Sequence, residues 1–400
     1  MNSQKRKMTT ATFPLPEQLE MKKTAIAFRG YNTTNHGMTA TLLNTPECQP
    51  AFLKWFERGE KLLNSLLNLQ VDLKQRILND QPSSLETYPI DVVQIVCIEL
   101  AQLELLETIA GIDYRQARCF MGYSLGEMTA LIAADVLSME QVLTPVLQLT
   151  ADAASMAPAV TMGVLFSRKQ SLNQKAIEQL CWQINAEQKG MIDISTILSP
   201  NTFLLLGQHK TLERFQQLMA PIVPERTQLK YNPDRWPPLH TCLVWQKHLT
   251  DRAGLSIQQI PEPIPTPSVP ILSCVTGELA YQPEQTRRLL RAWVDHPQLL
   301  WQAIRQLFDL GIENVIHVGP EPNIIPATLK RLSTNVAMQM NQQTWKALGL
   351  RTLNQFSMNR PWLGQLLSKD AVLLRAPFVQ QMMAEEVIEW KCTPLEKTIL

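Results

Sequence analysis

No run of about eighteen apolar residues occurs in this 400-residue chain, so no segment is expected to span a membrane. Residues Met1 to Lys7 carry positive charge, but no apolar stretch follows them, which argues against an export signal. An excess of charge of either sign is also missing. The net charge is +1, which gives no field that would recruit nucleic acid or an anionic membrane. C-x-x-C pairs, H-E-x-x-H and G-x-x-x-x-G-K-[ST] are absent, leaving metal-site and nucleotide chemistry without support. The seven cysteines (Cys48, Cys97, Cys119, Cys181, Cys242, Cys274, Cys392) are odd in number and mostly set in apolar runs. They read as buried free thiols of a cytoplasmic protein. No repeat or low-complexity tract stands out.

Apolar residues make up 45% of the chain and charged ones 18%, enough for a substantial core in one large domain with an insertion, or in two to three units. After a polar, proline-containing arm (residues 1–20), Thr24 to Phe28 reads as a strand running into the turn-rich Arg29-Gly30-Tyr31-Asn32-Thr33-Thr34. Val92, Val93, Ile95, Val96, Ile98, Leu100, Leu103, Leu105 and Leu106 predict a helix over 89–110 that is apolar on most sides. From 161 to 231 the pattern gives strand 162–166, helix 173–184, strands 191–198 and 202–207, helix 211–219 and strand 228–231. This βαββαβ order is the ferredoxin-like arrangement.

The proline-rich stretch at Pro233, Pro237 and Pro238 returns the chain to a larger α/β domain, to which predicted strands at 271–275 and 314–318 belong. The expected division is a large domain over 21–158 and 233–335, a small subdomain over 159–232, and a helical C-terminal extension over 336–400. The extension is read from Leu350, Leu353, Phe356, Trp362, Leu363, Leu366, Leu367, Ile388 and Trp390. Two lobes imply a cleft, where sites tend to lie.

Gly122-Tyr123-Ser124-Leu125-Gly126 is a G-x-S-x-G pentapeptide, preceded by apolar Cys119-Phe120-Met121 and followed by the helix-forming Met128 to Ala134. Strand, sharp turn and helix are what a nucleophile elbow requires. The glycines permit the bend, and the hydroxyl then stands at a helix N-terminus, where free amides and the dipole favour an anion. The bare pentapeptide also arises by chance in long chains. Its placement between strand and helix makes Ser124 the candidate nucleophile.

An alcohol needs a general base at neutral pH, and there are six histidines to consider. His209 and His248 sit among polar residues, and His36, His296 and His317 lie near glycine or proline turns. His240 follows the rigid Trp236-Pro237-Pro238-Leu239, at the return from the insertion, and so faces the expected cleft. A lone histidine is more often structural, and His240 stands as the candidate base on position alone.

Taken together, these landmarks resemble the malonyl-CoA:acyl carrier protein transacylases and the related acyltransferase domains of polyketide synthases, in order over residues 22–335. Ala27-Phe28-Arg29-Gly30-Tyr31 to Gly37-Met38 sits where that family has its first glycine-rich loop, and Gly122 to Glu127 matches its G-H-S-L-G-E elbow. Ser199-Pro200-Asn201 to Gly207 resembles the small-subdomain strand pair. His240-Thr241 stands for a histidine-serine pair, and Val275-Thr276-Gly277-Glu278 and Val318-Gly319-Pro320 match later landmarks.

The resemblance implies an α/β-hydrolase-like large domain with a parallel sheet and an inserted ferredoxin-like subdomain. It implies that Ser124 takes an acyl group from acyl-CoA as an ester and passes it to the phosphopantetheine thiol of an acyl carrier protein. His240 would be the base in each half-reaction, and the backbone amides of Leu125 and Tyr31 the oxyanion donors. No cofactor beyond these thioesters is implied, and fatty-acid or polyketide synthesis is the expected setting.

The chain also departs from the family. In malonyl-specific members an arginine after the elbow holds the malonyl carboxylate, and ungapped alignment from Ser124 puts Leu149 there. Either the acyl group is uncharged or another cation reaches the pocket. Arg29, which replaces a loop proline, is the nearest candidate, its alternative being a solvated loop arginine. Tyr123 and Tyr31 replace a histidine and a glutamine, and Leu198 stands where many members have asparagine. These residues are expected to line the substrate site and shift it toward an apolar acyl chain.

A thioesterase that resolves the same acyl-enzyme with water is the main rival. A patatin-like lipase would need an Asp-Gly pair and a common α/β-hydrolase a His-Gly-Gly run, and the chain has neither. Retention of both Ser124 and His240 argues against a silent carrier-binding module.

Overall fold

A computed structural model describes residues 19–168, 170–347 and 361–393. The expected arm up to residue 18, and Leu350, Leu353 and Phe356 of the C-terminal pattern, lie outside the described residues. In chain order the strands are β1 (Thr24–Phe28), β2 (Cys119–Gly122), β3 (Val160–Phe166), β4 (Ile192–Ser199), β5 (Thr202–Gln208), β6 (Gln228–Asn232), β7 (Ile271–Leu272), β8 (Asn314–Val318) and β9 (Gln380–Met383). The helices before the insertion are α1 (Thr39–Leu43), α2 (Gln49–Leu67), α3 (Leu73–Leu78), α4 (Tyr88–Thr108), α5 (Leu125–Ala133) and α6 (Met139–Met156). Within and after it come α7 (Gln174–Asn185), α8 (Thr211–Leu218), α9 (Leu249–Gln258), α10 (Pro283–Asp295), α11 (Leu300–Asp309), α12 (Ile324–Ala347), α13 (Pro361–Lys369) and α14 (Ala384–Cys392).

One sheet has the order β7-β2-β1-β8-β9, with every neighbouring pair parallel. The other has the order β4-β5-β3-β6 and is antiparallel throughout, which with α7 and α8 makes the predicted ferredoxin-like unit. Strand alternation divides the interior. Ile26 and Phe28 of β1, Phe120 of β2 and Ile316 and Val318 of β8 pack into one core. Ala25, Ala27, Cys119, Met121 and Val315 face a second core that includes small-subdomain residues. Covering both faces is what a parallel sheet requires.

Helix α4 is apolar on most sides and largely buried, as the sequence predicts. Two of its buried polar side chains, Glu99 and Gln102, reach the C-terminal ends of the strands. Glu99 accepts from the Arg29 amide at 2.8 Å, and Gln102 accepts from the Gly319 amide at 2.7 Å. Both fix loops at the carboxyl edge of the sheet, where ligands bind in open α/β folds.

Two expectations need correction. The strand predicted over 271–275 ends at Leu272, because Ser273 and Cys274 turn aside to donate to the buried Glu127 carboxylate at 2.5 and 2.9 Å. The C-terminal segment is not only helical. Residues Gln380–Met383 form β9, which pairs in parallel with β8, and Val387 and Ile388 of α14 are fully buried in the large-domain core. Helix α12 begins at Ile324 and runs through the boundary expected at 335.

Candidate active site

The pentapeptide builds a sharp elbow between β2 and α5. Ser124 takes φ 53° and ψ −114°, a strained conformation for a residue with a side chain. A Cβ on Gly122 would lie 2.1 Å from the Glu127 amide nitrogen, and one on Gly126 would lie 2.3 Å from the Phe28 carbonyl oxygen. Both positions therefore need glycine for close backbone approach. Leu125 opens α5, so the Ser124 hydroxyl sits at its N-terminus.

His240, 6% exposed, meets it: Ser124 Oγ lies 2.7 Å from His240 Nε2. The other ring nitrogen, Nδ1, is 2.7 Å from the Trp293 carbonyl oxygen, which can only accept. Nδ1 therefore carries the hydrogen and Nε2 offers its lone pair to the serine. Burial lowers the imidazole to about 4, against the Trp293 carbonyl and Asp295, which raise it. The ring is neutral at pH 7, the state a general base needs.

Two residues that the sequence reading did not single out hold this pair. Trp293 donates from Nε1 to the Ser124 carbonyl at 3.0 Å and packs edge-on against the His240 ring at 5.0 Å. Gln298 accepts the Ser124 amide at 3.0 Å through Oε1. Its backbone amide donates to Ser195 at 2.8 Å, and its carbonyl accepts from Ile197 at 2.9 Å. Gln298 thus ties β4 of the small subdomain to the nucleophile. No motif marks it; it lies in the short connection after His296-Pro297, where it forms an isolated parallel bridge with Thr196.

A cavity of about 450 Å³ opens beside Ser124 and His240. Tyr31, Tyr88, Tyr123, Leu198, Leu204 and Leu206 are among its walls. Tyr31 packs edge-on against Tyr88 and Trp236, with ring centroids 4.8 and 6.0 Å away. The Tyr123 hydroxyl shares a 2.9 Å hydrogen bond with Thr196 of β4, which fixes that ring across the two lobes. The amides of Tyr31 and Leu125 have no partner among the described residues. A Cβ on Gly30, next to Tyr31, would sit 3.5 Å from the Ser124 Cβ, so this loop lies against the elbow.

Arg29 and Leu149 are not brought to the cavity. Arg29 is 1% exposed, and its guanidinium bonds the Gly30 carbonyl at 2.8 Å, Asn35 Oδ1 at 2.7 Å and the Pro320 carbonyl. It staples the loop after β1 to the loop after β8 and is neither solvated nor free to meet a substrate. Burial lowers it to about 10, with Glu99 opposing that shift, so it stays charged at neutral pH. Leu149, 3% exposed on α6, belongs to the large-domain core. The charged side chain on the cavity wall is instead Arg331 of α12.

The remaining histidines lie elsewhere. His317 is buried in β8 beside Gln381, and His36 pairs with Asp80. Among the described residues no cluster of His, Cys, Asp and Glu could hold a metal ion, and no helix is long and apolar enough to cross a membrane.

No protein-family model and no curated protein matches the sequence. Solved structures do match. The FabD protein of Acinetobacter baumannii is 21% identical with a TM-score of 0.61, the match covering 75% of this chain and 88% of that one. A malonyl-transacylase solved with a type II polyketide synthase acyl-carrier protein is 17% identical with a TM-score of 0.58, over 76% and 92% of the two chains. The acyltransferase domain from the second module of the salinomycin polyketide synthase is 16% identical with a TM-score of 0.60, over 92% of this chain and 72% of that one. The likeness is one of fold: an α/β large domain with a parallel sheet and a ferredoxin-like small subdomain.

Proposed function

We infer that this chain is an acyltransferase that moves an acyl group from CoA to an acyl carrier protein through an ester on Ser124. The observation that carries this reading is the 2.7 Å contact from Ser124 Oγ to a His240 Nε2 whose tautomer is set by the Trp293 carbonyl. The fold likeness to transacylases, one of them solved with its carrier protein, supports the choice of donor and acceptor.

In the first half-reaction His240 Nε2 takes the hydroxyl proton as Oγ attacks the thioester carbonyl. The tetrahedral intermediate collapses by breaking the C–S bond, and the proton passes to the departing CoA thiolate. In the second half-reaction His240 takes the proton of the carrier's phosphopantetheine thiol, whose sulfur attacks the ester. The C–O bond breaks and Ser124 recovers its proton. The amides of Leu125 and Tyr31 are the oxyanion donors in this scheme, placed at the helix N-terminus and the adjoining loop where charge develops. The chemistry is ping-pong and needs no cofactor beyond the two thioesters.

The acyl group in this reading is uncharged. Tyr31, Tyr123 and Leu198 supply aromatic and aliphatic walls, Leu149 is packed in the core, and Arg29 is fully engaged. Arg331 is the cation on the cavity wall among the described residues, so a carboxylate in this cavity would depend on it alone as a charged partner.

Intact-protein mass spectrometry of wild type and Ser124→Ala, mixed with malonyl-, acetyl- and medium-chain acyl-CoA, tests both parts. One adduct on wild type alone, with acetyl or a longer chain preferred over malonyl, is expected. Preferential malonyl loading would refute the specificity, and no adduct from any donor would refute the transferase.

A further inference from the structure

Two of the seven cysteines come together from opposite ends of the described chain. Cys48 is the residue before α2, and Cys392 is the last residue of α14. They are 344 positions apart in sequence, and their sulfurs are 3.4 Å apart, in hydrogen-bonding contact. Cys48 is fully buried in the large-domain core, while Cys392 packs against that core and is partly exposed. The other five thiols are all buried, and among the described residues no other pair of sulfurs is in such contact.

The helix that ends at Cys392 is tied to the loops around the serine. Val387 and Ile388 anchor α14 in the core. At its other end the Glu385 carboxylate accepts the Met38 amide at 2.9 Å and the Glu321 amide at 3.4 Å. Met38 closes the loop that begins with Arg29 and Tyr31, and Glu321 follows Pro320, whose carbonyl Arg29 binds. Whatever fastens α14 to the body of the protein therefore also fastens these loops.

We propose that Cys48 and Cys392 form an oxidisable dithiol site, a covalent clamp on α14 that a peroxide closes and a dithiol reductant opens. Sulfurs already in contact have little way to travel to the bonding distance of about 2 Å. Exposure sets the order of events. Burial, with the Cys392 contact adding to it, pushes the Cys48 thiol up to about 12, so it stays protonated at neutral pH and the partly exposed Cys392 meets the oxidant first. The Cys392 sulfur takes an oxygen from the peroxide, the O–O bond breaks, and a sulfenic acid and one water result. The Cys48 sulfur then attacks the sulfenic sulfur, the S–O bond breaks, and the departing hydroxide takes the Cys48 proton to leave as a second water. Two thiols lose two electrons in all, and one peroxide gains them. A disulfide constrains the unfolded chain more the longer the loop it closes, and this one encloses nearly all of the described residues.

The test treats the reduced full chain with a small excess of hydrogen peroxide, unfolds it in a thiol-blocking alkylator and maps the products by mass spectrometry. One disulfide joining the Cys48 and Cys392 peptides is expected, with the other five thiols alkylated. Oxidised wild type should unfold about 5 °C higher or more, a shift that dithiothreitol reverses. Cys48→Ala should stop at a sulfenic acid on Cys392, captured by dimedone, and Cys392→Ser should keep Cys48 as a thiol. Neither variant should show the thermal shift. No disulfide, a disulfide between other cysteines, or the expected disulfide without a thermal shift would overturn the clamp. A sulfenic acid on Cys48 in Cys392→Ser would overturn the order of events. The wild-type measurement stands without either variant, and none of these readouts involves acyl transfer, so the clamp and the acyltransferase reading succeed or fail separately.

Discussion

The cavity at Ser124 and a groove of about 830 Å³ beside α12 share Val164, Leu198, Thr202 and Arg331 as walls yet treat polar groups in opposite ways. At Ser124 the hydroxyl, the amide and the carbonyl each meet a named partner, His240, Gln298 and Trp293, and His240 in turn meets the Trp293 carbonyl. In the groove Arg168 and Arg331 have none among the described residues. Proton transfer needs groups held in one orientation and kept out of water, and internal hydrogen bonds supply that. On an open wall water satisfies the donors instead. The two arginines nearest the reading make the same contrast. Arg29 is fully bonded and fastens loops, while Arg331 is exposed and has no bonded partner among the described residues.

The contrast is broken most severely by placing a charge where the site has no use for one. Leu149→Arg restores the residue type of malonyl-specific relatives, but at a position inside the core. It is expected to cost on the order of 3–5 kcal/mol of stability without improving malonyl loading. Thermal unfolding and acyl-adduct mass spectra check this, and a stable, malonyl-loading variant would mean that Leu149 borders the acyl group.

A smaller effect is expected at Gln298. Removing its side chain in Gln298→Ala leaves the Ser124 amide unpaired and removes the amide nitrogen 3.2 Å from His240 Nδ1, while its backbone bonds to β4 remain, costing about 1–3 kcal/mol, or about tenfold or more in loading rate. Single-turnover acylation by acyl-CoA is the measurement. An unchanged rate would show that the elbow holds its geometry without the glutamine.

The smallest effect lies in the pH profile. Burial brings His240 down to about 4, below its ordinary 6.5. The acidic limb of kcat/KM for loading is expected near pH 4, with a flat rate above it through neutrality. The sign for stability follows: between pH 6.5 and 4 the unfolded chain binds a proton at this residue and the folded chain does not. Its contribution therefore becomes more unfavourable as pH falls through that window. A limb near 6.5 would mean a solvated imidazole.

Much of this was legible in the residues. The small subdomain announced itself because β3, β4 and β5 are apolar-rich segments bounded by turns and both helices keep their period, so local pattern and tertiary role agree. The elbow was legible for the same reason. Strand β9 was not. Gln380-Gln381-Met382-Met383 contains no β-branched or aromatic residue and is a strand through its pairing with β8. Arg29 was misread because its partners include the Pro320 carbonyl, 291 residues away, a contact that no local pattern encodes. Arg331, beside Lys330 in a helical stretch, looks like part of a solvated face. In the structure it is exposed, and it lines a groove opposite the small subdomain, a placement that no local pattern encodes.

The central claim is that the acyl group on Ser124 is destined for a carrier thiol. The direct test loads the enzyme with a labelled acyl-CoA, removes free CoA, adds holo-acyl carrier protein, and follows the label in time. Appearance of label on the carrier, faster than its release as free acid, is the predicted result. Release as free acid at the same rate with or without carrier would contradict the account and make the protein a hydrolase.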